Sequence, residues 1–225
     1  MNQLPRTSVT HGLVLINVVV WLIGLLTGAE QAMQIEGGFW AARVYDSLHG
    51  SGSQLPSDYG WAVPLWLTPV TSAFLHAGFF HLLMNMLVLL VIGRMVELGF
   101  GPGRLMILYG AGMVAAAAMH YWVDPLSVIP VVGASGAISA LLAFYFLMFA
   151  RRKPQAIGPV PGMVVHMAWL LAAWVGLNLL SELAFSTSTF GIAIWAHIGG
   201  FLAGLALTAP LAWLDSPRTP RHDLP

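Results

Sequence analysis

Four residues of this chain have the types and spacing for acyl-transfer chemistry: Ser135, His197, His81 and Asn85. A serine hydroxyl is a poor nucleophile until a base within hydrogen-bond reach takes its proton. His197 is the obvious base. A tetrahedral oxyanion also needs donors already aimed at it. The backbone N–H of Ser135, the Asn85 amide and the His81 imidazole can supply them. Gly133 and Gly136 flank the serine, allowing a tight turn and close approach of a substrate backbone.

The elements that must position these groups are apolar helices. The 225 residues are 58% hydrophobic and only 8% charged. A soluble domain carries about 25% charged residues, so burial in a lipid bilayer is expected. A bilayer core of about 30 Å needs roughly 20 mostly apolar residues per helix. Six such stretches are present: His11–Gly28, His81–Leu98, Arg104–Val123, Gly133–Ala150, Pro161–Leu183 and Phe190–Leu214. The connection from Ala29 to Phe80 is long and carries Trp40, Tyr45, Tyr59, Trp61 and Trp66, which suits a segment lying in the membrane interface. Residues 1–10 carry no cleavage pattern and read as a tail, as do residues 215–225; residues 11–214 form one domain. Arg6, Arg94, Arg104, Arg151, Arg152, Lys153, Arg218 and Arg221 cluster on one side of the spans, and only Arg43 falls elsewhere. Positive residues face the cytoplasm, so both termini are expected there. The absence of cysteine excludes thiolate chemistry, and the zero formal net charge suggests no nucleic-acid partner.

Depth separates the polar candidates. Ser135 stands about 15 residues before Arg151, roughly 23 Å at 1.5 Å per residue. By the same rise His197 lies roughly 25 Å above Trp213, and His81 roughly 24 Å above Glu97. Three residues on three helices of the same direction thus share one level below the outer surface. Ser135, Ser139 and Ala143 form a small-residue stripe, and His197, Gly200 and Gly204 form another. Small residues let membrane helices pack backbone to backbone. If the stripes face each other, Ser135 and His197 meet. His81 and Asn85 share a helix face one turn apart. Asp46, Asp58, Asp124, Asp215 and Asp223 all lie in loops or ends, which argues for a Ser–His dyad rather than a triad. Taken singly, the Gly-x-Ser-Gly match, His197 beside glycines and the His81–Asn85 pair each have an ordinary packing explanation. Their coincidence in depth and face is what favours chemistry. Glu97, at the end of a span, reads as a helix brace; His166 and Glu182 read as structural.

Three stretches together resemble the rhomboid family: Thr71 to Asn85 (TSAFLHAGFFHLLMN), Gly133-Ala134-Ser135-Gly136, and Ala196-His197-Ile198-Gly199-Gly200 with Gly204. The resemblance implies an all-α membrane protein, a six-transmembrane-helix bundle whose long first loop is half-embedded in the outer leaflet. It implies a serine endopeptidase with Ser135 as nucleophile and His197 as general base, and an oxyanion site of His81, Asn85 and the Ser135 N–H. It gives His76 a supporting role near the first loop and Glu97 a role in bracing it. A loop at Ala184–Thr189 would cap the site, with transmembrane protein substrates entering beside the fifth helix. Two positions depart from the pattern. Leu67 and Thr68 stand where the family often has Trp-Arg, and Ser139 stands where it often has a Tyr stacked on the catalytic histidine. What orients the His197 ring is left open.

No metal or other cofactor is expected, and the sequence sets no oligomeric state. The compact core suggests a bacterial cytoplasmic (inner) membrane. The competing readings are a catalytically inactive relative that binds membrane helices and, less favoured, a small transporter using His and Glu as a proton relay.

Overall fold

The computed structural model describes residues 8–50, 55, 60–149, 155–185 and 194–213, with side chains for all of these except 8, 149 and 177–185. The described chain is helical: α1 Ser8–Thr27, α2 Glu30–Gly37, α3 Ala41–His49, α4 Phe79–Phe100, α5 Pro102–Val123, α6 Ser135–Phe149, α7 Gly162–Phe185 and α8 Ile194–Trp213. Among the described residues four helices are long and apolar enough to cross a membrane: Val9–Thr27 of α1, then α4, α5 and α8. The apolar stretches Ser135–Met148 of α6 and Gly162–Gly176 of α7 are shorter. The described parts of all six expected apolar segments are therefore helical; α6 is described over 15 residues, fewer than a full span, and α7 over 24. Large apolar side chains point away from the bundle; Leu26 is 83% exposed and Val91 62%. Lipid tails are as apolar as leucine, so such faces are at no disadvantage in a bilayer.

Helix bounds differ from expectation where local chemistry intervenes. The first helix begins at Ser8 rather than His11. The Glu97 carboxylate accepts the Val9 N–H at 2.9 Å and the Thr10 N–H at 2.8 Å, and the Thr10 hydroxyl at 2.6 Å. A carboxylate at a helix start satisfies N–H groups that lack intrahelical acceptors and complements the helix dipole. Glu97 thus braces α1 against α4, rather than the first loop as the resemblance implied. Its helix carries a π segment at Leu89–Gly93. At Gly93 a Cβ would stand 3.1 Å from Leu89 and 3.2 Å from Thr10, so the glycine admits α1 to this contact. Nearby, Arg104 donates to the Phe100 carbonyl at 2.7 Å and the Leu211 carbonyl at 3.3 Å, joining the ends of α4 and α8.

The long first connection is more structured than a surface loop. It contains α2, α3 and short helical turns at Leu65–Leu67, Thr68–Thr71 and Ser72–Phe74. Its aromatic residues divide: Trp40 is buried while Trp66 is exposed, and Tyr59 lies outside the described residues. The connection is tied to the strand-like segment before α6. Phe39 and Val131 exchange two backbone bonds at 3.0 and 2.8 Å, and the Gly133 N–H donates to the Ser72 carbonyl at 2.9 Å. Gln34 of α2 donates to the His76 carbonyl at 2.9 Å. His76 itself is buried. Burial holds its imidazole well below the ordinary 6.5, the nearby His81 adds to the shift, and the Phe74 backbone opposes it.

The centre of the bundle is α5, α6 and α8 in backbone contact. A Cβ at Gly200 would overlap the Gly136 carbonyl, one at Gly204 the Ala140 carbonyl, and one at Gly199 the Ala115 carbonyl. Gly112 stands so that a Cβ would lie 2.8 Å from Ala137 Cα. The α8 stripe is the expected one. Its partner on α6 is Gly136 and Ala140, one residue on from the expected Ser135 and Ser139. Expectations resting on Arg6, Arg151, Arg152, Lys153, Arg218, Arg221, the 1–7 and 215–225 tails and 186–189 of the capping loop fall outside the described residues; so does the side chain of Glu182.

Two measurements test this packing. Gly204→Ala should destabilise the protein by about 1–3 kcal/mol through overpacking, read as a lower unfolding temperature in detergent. Gly110→Ala, which meets nothing within 4 Å, should leave that temperature unchanged or raised. As for His76, the unfolded chain gains a proton below about pH 6.5 that the folded protein resists. Stability should therefore fall as pH drops below 6.5, and His76→Gln should make that fall shallower.

Candidate active site

The site lies where α4, α6 and α8 all begin. Ser135 is the first residue of α6, where backbone N–H groups have no intrahelical acceptor. Gly133 adopts φ +119°, a conformation that excludes side-chain-bearing residues at little strain. That turn starts α6 at Ser135 rather than at Gly133. A Cβ at Gly133 would stand 2.7 Å from His81 Cε1, 2.8 Å from His81 Nε2 and 3.7 Å from Ser135 Oγ. The space of the missing side chain is thus where the His81 ring comes up beside the serine. One glycine serves both the turn and the approach.

Ser135 Oγ and His197 Nε2 are 2.7 Å apart, and both residues are buried, at 6% and 5% exposure. The serine hydroxyl donates when Nε2 is unprotonated, which places the ring proton on Nδ1. Nδ1 has no hydrogen-bond partner among the described residues.

His81 accepts the Ala77 N–H at Nδ1, at 3.3 Å, so its Nε2 carries the proton and acts as a donor. Asn85 is fully buried one turn further along α4. Its Nδ2 donates to the His81 carbonyl at 2.8 Å, and its Oδ1 has no partner among the described residues. The His76 ring lies 5.2 Å from the His81 ring, edge-on, behind the site. Gly136, Gly200 and Gly204 are contact points between helices, and Glu97 lies at the opposite end of α4. His166 packs on Phe146 at 6.1 Å, and His120 is buried near the start of the Asp124 turn. Neither joins the Ser135 cluster.

One group at the site was missed from sequence. Trp174 of α7 is buried, and its indole N–H donates to Ser139 Oγ at 2.7 Å. Ser139 in turn donates to the Ser135 carbonyl at 2.7 Å. The Trp174 and His197 ring centroids are 6.4 Å apart at 68°. A tryptophan in an apolar helix gives no periodic signal of this kind. The one available hint was the short Ser139 beside the serine, which leaves room for a ring from elsewhere.

A family model described as the Rhomboid domain matches residues 64–214. Curated relatives include the rhomboid protease GlpG of Photorhabdus laumondii, 26% identical over 88% of this chain and 59% of that protein. The putative rhomboid protease YdcA of Bacillus subtilis is 29% identical over 64% of this chain and 66% of its own length. Rhomboid-related protein 2 of Mus musculus is 28% identical over 61% of this chain and 45% of its own. The chain thus spans about half to two thirds of the length of these relatives. With a family match running over well more than half of its residues, this chain belongs to the rhomboid family.

Proposed function

We propose that this chain is an intramembrane serine endopeptidase that hydrolyses peptide bonds in or near the transmembrane segments of other membrane proteins. The observation that carries the reading is the 2.7 Å contact between Ser135 Oγ and His197 Nε2 at the buried starts of two helices. The kinship with proteins named as rhomboid proteases supports it.

In this reading Ser135 Oγ forms a bond to the substrate carbonyl carbon while His197 Nε2 takes the hydroxyl proton. The oxyanion meets the His81 Nε2–H and the Ser135 N–H. A primary amide has two N–H groups; one of Asn85's is engaged by the His81 carbonyl, leaving the second for the oxyanion. His197 then passes its proton to the leaving amine, and the C–N bond breaks. Water hydrolyses the Ser135 ester, again with His197 as base. A helical substrate shields its carbonyls in its own hydrogen bonds, so the scissile segment must unwind. Substrates are single-pass proteins with small or helix-breaking residues near that depth.

The topology that fits this chemistry has six spans, both termini in the cytoplasm and the first connection seated in the outer leaflet. Ser135, His197 and His81 then lie below the outer surface, where water must reach them through an outward opening. A bacterial cytoplasmic membrane is the proposed location. The rival reading, an inactive relative that binds membrane helices, draws on Ser139 standing where the family often has an aromatic ring.

A fluorescent transmembrane substrate in liposomes decides between them. Wild type should cleave it, and Ser135→Ala and His197→Ala should each lower kcat by at least about 10³-fold. A folded wild type that cleaves none of several such substrates would favour the helix-binding reading. Asn85→Ala and His81→Ala should each reduce kcat by roughly 10- to 10³-fold as lost oxyanion donors. Gly133→Ala should abolish cleavage, since its Cβ meets the His81 ring.

A further inference from the structure

We infer that Trp174, anchored by Ser139, is the positioning residue that holds the His197 ring in register with Ser135. The inference rests on the serine-protease reading above and answers what that reading leaves open. A base must present one nitrogen to the nucleophile through every turnover. In a triad a carboxylate on Nδ1 does this, but the Nδ1 of His197 has no hydrogen-bond partner among the described residues. The imidazole is therefore fixed at Nε2 by Ser135 itself, which must let go of its proton during the reaction, and by packing. The described ring that packs on it is Trp174, at a centroid distance of 6.4 Å and an angle of 68°. That is the edge-to-face geometry aromatic rings prefer.

The indole is itself held. Its N–H donates to Ser139 Oγ at 2.7 Å, and the Ser139 hydroxyl donates to the Ser135 carbonyl at 2.7 Å. Ser139 is fully buried and Trp174 6% exposed, so these bonds do not compete with water. The chain Trp174 to Ser139 to the Ser135 carbonyl references the indole to the residue whose hydroxyl His197 must reach. Ser139 carries no ring to stack on the imidazole. A ring on α7, tethered through that serine, reaches it instead. The aromatic support for the histidine thus comes from a different helix than the one bearing the nucleophile.

The test uses a fluorophosphonate, which reports the nucleophilicity of Ser135 without a transmembrane substrate. Ser135 Oγ bonds to phosphorus, fluoride leaves, and His197 takes the serine proton. The inactivation rate constant and the probe's apparent affinity are measured separately, with the unfolding temperature alongside. Trp174→Ala should lower the rate constant by about tenfold or more, as expected for a displaced base, with affinity changed by less than about twofold. Trp174→Phe and Ser139→Ala each remove one end of the indole bond; each should give a smaller loss, and together no more than either alone. Combining Trp174→Ala with Ser139→Tyr, which returns a ring from α6, should recover most of the rate.

The inference is overturned if wild type labels at Ser135 while Trp174→Ala and Ser139→Ala label within about twofold of it. It is equally overturned if the losses follow the unfolding temperature and the Tyr exchange recovers stability without rate. A folded wild type whose Ser135 labels no faster than in His197→Ala would instead sink the Ser–His reading, and this inference with it.

Discussion

The structure depends on three helix backbones being allowed to touch. Gly199, Gly200 and Gly204 bring these backbones closer than helices bearing ordinary side chains, whose axes usually lie about 8–10 Å apart. Gly200 and Gly204 of α8 lie directly on the backbone of α6 at Gly136 and Ala140, and Gly199 on that of α5 at Ala115. In a bilayer there is no hydrophobic drive to press helices together, so van der Waals contact between small residues must hold them. The same contact fixes the geometry of the dyad. A methyl group at Gly200 would overlap the Gly136 carbonyl, next to the serine.

The other constraints converge on the same point. The first connection, through Ser72 and the Phe39–Val131 bridge, pins the segment leading into Ser135. Gly133 turns that segment and opens the space filled by His81. Glu97 and Arg104 fasten the other ends of the helices, far from the chemistry. Strong polar contacts at one end and a polar cluster at the other leave the middle to apolar packing. That division suits the proposed protease, in which water is needed near Ser135 and not along the rest of the spans.

Much of this was legible in the sequence because both depth and helix face follow from counting residues. Ser135, His197 and His81 fall at one level by the helical rise, and the structure brings them together. The Gly200–Gly204 stripe was visible for the same reason. What counting could not supply was rotation between helices: whether Ser139 or Ala140 faces α8 turns on one residue, about 100° of arc. Ala140 faces α8, which frees Ser139 to bond Trp174. That bond was illegible, because nothing in a run such as Ala173-Trp174-Val175 marks which way the indole points. Nor did the apolar run at Leu89–Gly93 announce a π turn, or Glu97 its grip on Thr10, since both arise from contact with another helix.

The most direct test of the central claim is to catch the bond it requires. Wild-type protein mixed with excess transmembrane substrate would be acid-quenched over a single turnover and its Ser135 peptide weighed. The account predicts an ester-linked substrate fragment on Ser135 that rises and falls as product forms, and that is missing from His197→Ala. Product formed at the wild-type rate by Ser135→Ala, with no adduct on the wild-type Ser135 peptide at any time, would contradict it.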